Sequence, residues 1–314
     1  MWTEFKNGIA IAAMVCALAT AQTSKAVAED TPAFDPLKRT VSPLRFRLRG
    51  TFHDASVIAP ASDELKDRIA NPFVLSYLKD NVASDEVFAL RGALFGSFRI
   101  DNPAGVSPSI ASYAFGVVVN QAKANGETTQ DTIGFKLGGA WLIGNYKPKA
   151  LIRSLYMSAD VGWLTDSGFD LSVFTANARY EVFGETRGFA GAPYRTGNFA
   201  FELRPVAELQ FQHVADADGR AEFLGEDNRL YAGIRLLAKA GFVEGPLERM
   251  SFDAEYQAFE DVIGTAPSTE LVTVGINWAL DDDSNAVLRL SYENGETPTQ
   301  SESDKISMGL GLSF

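Results

Sequence analysis

The sequence is poor in the residues that most catalytic and metal sites use. It has one cysteine, Cys16, and two histidines, His53 and His213, in 314 residues. A single thiol cannot form an intramolecular disulfide, and two histidines leave little for a histidine-based metal site. The sequence therefore predicts no metal site, no cofactor and no catalytic residues.

An excess of basic residues is also missing. Lys and Arg number 28 against 40 Asp and Glu, which gives a net charge of -12. Proteins that bind nucleic acid carry basic faces, so we expect no nucleic-acid partner. The mean hydropathy is -0.04, and no apolar run has the roughly 20 residues of a membrane helix. This excludes a helical membrane protein but not a β-barrel, in which polar residues alternate with the lipid-facing ones.

The amino terminus has the features of a secretory signal peptide. Lys6 precedes an apolar run at residues 8–19, and small-residue cleavage sites follow at 19–21 and 26–28. The run is too short for a membrane helix. We expect a signal peptide over 1–28, which would carry Cys16 away, followed by a polar periplasmic spacer over 29–43.

From residue 44 to residue 314, apolar and polar residues alternate in segments separated by turn-rich stretches. At 249–258, for example, Met250, Phe252, Ala254 and Tyr256 alternate with polar residues. Period two is the pattern of a strand with one apolar face. The alternating segments are 44–52, 86–100, 110–120, 132–142, 154–163, 169–182, 199–213, 229–242, 249–258, 270–280, 286–293 and 306–314. They predict an all-β domain over 44–314 with about twelve antiparallel strands of roughly ten residues.

Alternation does not tell which face points outward. In a soluble sandwich the apolar faces meet each other, whereas a closed membrane barrel is apolar outside and polar inside. The predicted signal peptide favours the barrel, and so do the aromatic residues near strand ends, Trp141, Trp163, Trp278 and Tyr292. We therefore predict a closed antiparallel transmembrane β-barrel.

The last segment adds a resemblance to a known family. Its apolar positions alternate with Ser and Gly, and it closes on an aromatic: Ile306, Met308, Leu310, Leu312, Phe314. This resembles the final strand of Gram-negative outer-membrane β-barrel proteins, although that family commonly has an aromatic residue where Leu312 stands. The resemblance implies location in the cell outer membrane among its lipid and lipopolysaccharide. It also implies that the barrel assembly machinery reads Leu310, Leu312 and Phe314.

Charged residues occupy the polar positions of several strands, which would face the lumen. The candidate lumen or selectivity residues are Arg45, Arg47, Arg49, Arg91, Arg99, Glu202, Glu208, Asp253 and Glu255. If the basic and acidic strands form opposite walls, a transverse field would select solutes by charge. The alternative is that the acids pair locally with Arg204, Arg229, Arg235 and Lys239 and hold the lumen shut.

The leading functional hypothesis is a porin-like passive channel for small hydrophilic solutes. The alternatives are a non-conducting barrel that displays its loops, and a lipid-modifying enzyme. The enzyme is the weaker of the two because His213 has no serine two residues away on its strand. Residues 53–84 are expected to be the first outer loop, in which Leu65, Ile69, Phe73 and Leu78 predict short helical pieces.

Overall fold

The computed structural model describes residues 39–49, 73–80, 85–102, 107–124, 127–143, 154–183, 194–219, 227–264, 266–280, 286–298 and 300–312. The predicted signal peptide and most of the spacer lie outside these ranges, as does Phe314. Within the described part of the chain, no helix is long and apolar enough to cross a membrane.

The described residues form one antiparallel sheet. Its strands are β1 (Thr40–Val41), β2 (Arg45–Arg49), β3 (Phe73–Asp80), β4 (Asp85–Asp101), β5 (Ile110–Ala124), β6 (Glu127–Ile143), β7 (Ser154–Thr165), β8 (Ser172–Phe183), β9 (Tyr194–Thr196), β10 (Phe199–Asp216), β11 (Asn228–Phe242), β12 (Met250–Asp261), β13 (Thr269–Ala279), β14 (Ala286–Thr297) and β15 (Gln300–Leu312).

The sheet closes on itself. From β4 the pairing runs in chain order through β5, β6, β7, β8 and β10 to β15, and the short β9 pairs only with β10. The last strand then pairs with β3, from Lys305 opposite Asp80 to Leu312 opposite Phe73, and β3 pairs with β4. The described strands therefore form a ring of twelve positions, and the predicted closed all-β barrel is confirmed.

The first position in the ring is shared by three short strands. β1, β2 and β3 all pair with the same edge of β4, with Arg49 opposite Ala93 and Val74 opposite Arg91. The sheet thus begins at Thr40, inside the segment predicted as spacer, and residues 50–72 lie outside the described ranges.

The expectation of one outer loop over 53–84 is wrong, because Phe73–Asp80 is a strand. Phe73 and Leu78, two positions of the expected helical pieces, belong to it. The sequence FVLSYLKD places apolar residues on both faces, so the period-two signal is weak there. Pairing with β4 and β15 nevertheless uses both edges of the segment, which satisfies its backbone.

Several other strands are longer than the sequence predicted. β5 and β6 reach Ala124 and Glu127, across what was expected to be a loop at 121–131. Gln121 and Asp131 are opposite each other in this extension, and the Gln121 amide donates to the Asp131 carboxylate at 2.9 Å. Cross-strand polar pairs of this kind stabilise the pairing of two strands, and this stabilisation does not require an apolar face.

The two faces of the sheet have opposite polarity. One face exposes large apolar side chains, among them Leu137, Val161, Leu209, Ile234, Val274, Ile276, Leu290 and Met308. The other face buries polar and charged ones, including Ser97, Ser158, Asp160, Glu181, Glu208, Gln212, Ser251 and Asn277. In a closed ring these are the outside and the inside respectively, which is the inverted arrangement that distinguishes a membrane barrel from a soluble sandwich.

The closure can be tested with a cross-strand disulfide. Ser76 on β3 and Gly309 on β15 are opposite each other, and opposed antiparallel residues lie about 4.5–5.5 Å apart, within the range that a disulfide spans. We expect the Ser76→Cys, Gly309→Cys variant, made in a Cys16→Ser chain, to form an intramolecular disulfide on oxidation. Mass spectrometry of the non-reduced peptides is the measurement.

Tyr77→Cys with Gly309→Cys is the matched control, because successive residues on a strand point to opposite faces. This pair should remain reduced. Equal crosslinking of both pairs, or none in the Ser76 pair, would contradict the register that closes the barrel.

Candidate functional site in the barrel interior

Charged side chains on the inner face form ion pairs between strands. Glu208 on β10 lies between Arg179 on β8 and Arg235 on β11, each 3.1 Å away. Arg235 also contacts Glu255 on β12 at 2.6 Å. Gln257 donates to Glu255 at 2.9 Å. A chain of alternating charge therefore crosses four neighbouring strands of the wall.

A second pair bridges β12 and β14 over the strand between them. Arg289 holds the Asp253 carboxylate with two contacts, at 2.7 and 2.8 Å, and Asn277 on β13 donates to the same carboxylate at 2.6 Å. Gly275 makes this possible. A Cβ atom there would lie 2.7 Å from an Arg289 nitrogen and 2.8 Å from an Asp253 oxygen.

Lys136 and Asp160 form a similar pair on β6 and β7. The Lys136 ammonium lies 2.8 Å from the carboxylate, to which Asn177 on β8 also donates at 3.0 Å. The residue opposite Lys136 is Gly162, where a Cβ atom would be 3.0 Å from the lysine Cγ. Glycine on the inner face thus leaves room for a long cation to lie along the wall.

The seam of the ring carries its own ion pairs. Glu293 on β14 contacts its opposite residue Lys305 at 2.9 Å and Arg91 on β4 at 3.3 Å. Arg91 also donates to Asn120 on β5 at 3.3 Å. These contacts link the strands on both sides of the β15–β3 closure through side chains.

Two other residues of the predicted lumen set, Glu202 and Arg99, lie outside these groups of ion pairs. Glu202 is buried on the inner face. Its neighbour Arg204 contacts Glu181 on β8 at 2.5 Å. The exposed Arg99 lies at the end of β4, where it pairs with Asp101 at 2.6 Å.

The arginine stripe of β2 is on the inner face by register. Arg45 is opposite the buried Ser97, Arg47 opposite Phe95, and Arg49 opposite Ala93. The Arg45 side chain is exposed, whereas that of Arg49 lies outside the described part of the structure. By register, Arg45 and Arg47 therefore face the interior, and the role of the stripe in the lumen stays a prediction.

The structure brings together only part of the predicted set. Glu208, Asp253 and Glu255 each pair with a nearby cation. This arrangement agrees with the alternative of local pairing and not with an acidic wall that faces a basic wall across the lumen. The pairing partners Arg179, Arg289, Lys136 and Lys305 were not among the predicted site residues. Each occupies a polar position of its strand, but which charges meet depends on the strand register, which alternation does not specify.

Packed side chains narrow the interior at one end. Phe259 and Tyr231 are buried there on the inner face. Gln212 on β10 is buried and donates to the Pro298 carbonyl, in the turn between β14 and β15, at 3.2 Å. This hydrogen bond crosses from β10 to the β14–β15 turn, so the interior narrows at this end.

The residues considered for other chemistry do not gather into a site. His213 is on the outer-face side of β10, where it contacts the Asn228 amide at 3.0 Å and stacks on Phe174. Within the described ranges, no three His, Cys, Asp or Glu side chains are grouped as metal ligands would be. His53 lies outside those ranges.

The apolar exterior, the polar interior and the closed ring together define a membrane-spanning β-barrel. Of the predicted assembly-signal residues, Leu310 is exposed on the outer face. Leu312 pairs with Phe73, and Phe314 lies outside the described ranges. Their role in assembly stays a prediction.

Comparison with known proteins adds similarities of shape. No protein-family model matches the chain, and no curated protein matches it. Among solved structures, the KdgM porin gives a TM-score of 0.36 at 10% identity, covering 77% of this chain and 98% of that one. An anion-selective porin from Comamonas acidovorans gives 0.34 at 9% identity, covering 88% and 100%. The translocator domain of the autotransporter NalP from Neisseria meningitidis gives 0.34 at 11% identity, covering 98% of each chain. The class of the protein therefore rests on its own closed sheet and inverted polarity.

The glycine beneath the Asp253–Arg289 pair gives a sharp test of the inner wall. We expect Gly275→Ala to displace this pair, because the added methyl group would occupy the space that its charged atoms fill. Loss of charge-assisted hydrogen bonds at a partly buried position should lower the free energy of unfolding by about 1–3 kcal/mol. Urea unfolding of the detergent-refolded protein, followed by tryptophan fluorescence, measures this change.

The matched control is the same substitution in a chain that already carries Asp253→Asn and Arg289→Gln. Because the ion pair is already absent in this background, Gly275→Ala should lower the free energy of unfolding much less than it does in the unmodified chain. If Gly275→Ala lowered the free energy of unfolding equally with and without the Asp253–Arg289 pair, Gly275 would not act through the ion pair.

Proposed function

We propose that the protein is an outer-membrane barrel whose interior forms a porin-like passive channel for small hydrophilic solutes. The observation that carries this proposal is the partial exposure of charged groups on the inner wall. The side chain of Arg91 is 38% exposed although it faces the inside of a closed ring. Charges in contact with water inside a barrel are what a hydrophilic pathway requires.

The outer face supports insertion in a bilayer. Val272, Val274 and Ile276 on β13 all point outward and are exposed, and the intervening Thr273 and Gly275 point inward. An exposed apolar band of this kind is costly in water and favourable in lipid. A charged residue on the lipid-facing midplane would cost roughly 2–4 kcal/mol, so this distribution is expected of a spanning barrel.

The proposed outer-membrane location rests on two further points. Closed antiparallel barrels of this polarity are the spanning structures of bacterial outer membranes. The sequence also predicts a signal peptide over 1–28, which would export the chain. The surrounding outer-membrane lipid and lipopolysaccharide would then be the partners of the apolar exterior.

A second function is favoured by one observation, the packed end of the interior. The Gln212–Pro298 hydrogen bond and the buried Phe259 narrow the barrel near β10 and β14. A barrel that is filled at this end would not conduct, and would serve instead as a stable support for the loops it displays.

Conductance separates the two functions. We expect the purified mature chain, residues 29–314, to produce stepwise, ohmic current increments in planar lipid bilayers, because its interior would hold water. Folding is checked on the same sample by gel mobility in SDS, where an intact barrel runs differently before and after boiling. Boiled protein is the control and should give no steps.

A sample that is folded by this criterion but never conducts would exclude the channel. That result would favour the loop-displaying barrel. Recovery of the chain as a soluble monomer without detergent would exclude both.

A further inference from the structure

Acidic and basic side chains on the inner wall differ in how far they are exposed to the lumen. The side chain of Glu208 is 1% exposed, whereas its partner Arg179 is 15% exposed. Asp160 is 1% exposed, against 13% for its partner Lys136. In these pairs the carboxylate lies against the strands and the cation lies over it, on the side facing the lumen.

The same order holds for two further pairs. Arg204 is more exposed than Glu181, and Arg91 is more exposed than Glu293. In the pairs made by Glu255, by Asp253 and by Lys305 the two partners are about equally exposed. Among these inner-wall pairs, a large difference always favours the cation. The Arg195–Glu244 pair at the end of the barrel has the opposite order, with the acid more exposed.

Two of the carboxylates are each shared by two cations. Glu208 lies between Arg179 and Arg235, and Glu293 lies between Arg91 and Lys305. Arg235 also contacts Glu255, so that group contains two cations and two carboxylates. In both groups the shared carboxylate is less exposed than at least one of its cations.

The stripe on β2 adds the cation of Arg45 beside two uncharged residues of the wall. Arg45 is in register with Ser97 on β4 and, one strand further, with Ala114 on β5. Both of these wall residues are uncharged. The Arg45 side chain is exposed, so its guanidinium adds to the potential of the interior.

We infer that the interior favours small anions, such as carboxylate- or phosphate-bearing solutes, over cations of the same size. A mobile anion can reach guanidinium groups, which bind such oxygens with paired hydrogen bonds. A mobile cation meets those same groups before it reaches the carboxylates behind them. The net charge of the whole chain is -12, so this preference would be opposite in sign to the overall composition.

This inference rests on the proposed channel, and the reversal potential in a potassium chloride gradient tests it. We expect the unmodified protein to pass chloride more readily than potassium. The preference should weaken as the salt concentration rises, because ions screen the wall charges. Potassium chloride alone is the probe, so no natural solute has to be known.

Neutralising the stripe identifies the groups responsible. We expect Arg45→Gln to lower the chloride-to-potassium permeability ratio by at least about two-fold, the scale set by unit charges several ångströms apart in water. The Arg45→Gln, Arg47→Gln variant should lower it further. Arg195→Gln is the comparison variant, because Arg195 lies on the short β9 at the end of the barrel, where it pairs with Glu244 at 2.6 Å.

Each outcome has a distinct meaning. A reversal potential that shows higher permeability to potassium than to chloride in the unmodified protein would overturn this inference. It would not contradict the proposed channel. Folded protein without any conductance would overturn the channel, and the inference with it. An unchanged ratio in both arginine variants, with normal folding, would overturn the assignment of the preference to the β2 stripe.

Discussion

The pairing of the last strand with the third is the constraint on which the rest of the structure depends. In a bilayer each backbone N–H and C=O must be paired, so a spanning sheet has to close. The eight opposed pairs between β15 and β3, from Lys305–Asp80 to Leu312–Phe73, close it. Closure gives the sheet an inside and an outside, and only then does the alternation of each strand separate a lipid-facing set from a polar interior.

Closure also decides which charges meet. Carboxylates on the inner face would be costly if they stayed buried and unpaired. In the ring, Glu208 contacts cations on both neighbouring strands. Asp253 contacts Arg289 two strands away, over the space that Gly275 leaves. The interior is consequently a set of pairs along the wall, and in several of them the cation is the partner more exposed to the lumen. Both proposed properties, passage of hydrophilic solutes and preference for anions, derive from this layering.

Much of the fold could be predicted because one face of most strands is uniformly apolar. The strand containing Met250, Phe252 and Tyr256 is an example, and the strand count followed from such segments. β3 was missed because its apolar residues lie on both faces, and only pairing with its two neighbours makes it a strand. The inward position of Arg45 and Arg47 was predictable from period two. Arg235, a partner of Glu208, was in the alternative of local pairing. Arg179 and Arg289 were not predicted as partners, since they depend on register, which is set by long-range pairing.

The central claim, that the apolar face contacts lipid and the polar face encloses the lumen, can be tested most directly through tryptophan. Trp141, Trp163 and Trp278 are all at outward positions, and Trp278 is 47% exposed. The only other tryptophan, Trp2, is in the predicted signal peptide. In liposomes whose acyl chains carry bromine, the account predicts strong quenching of the fluorescence of the mature chain and little quenching by aqueous iodide. Quenching by iodide with no effect of the brominated lipid would contradict it.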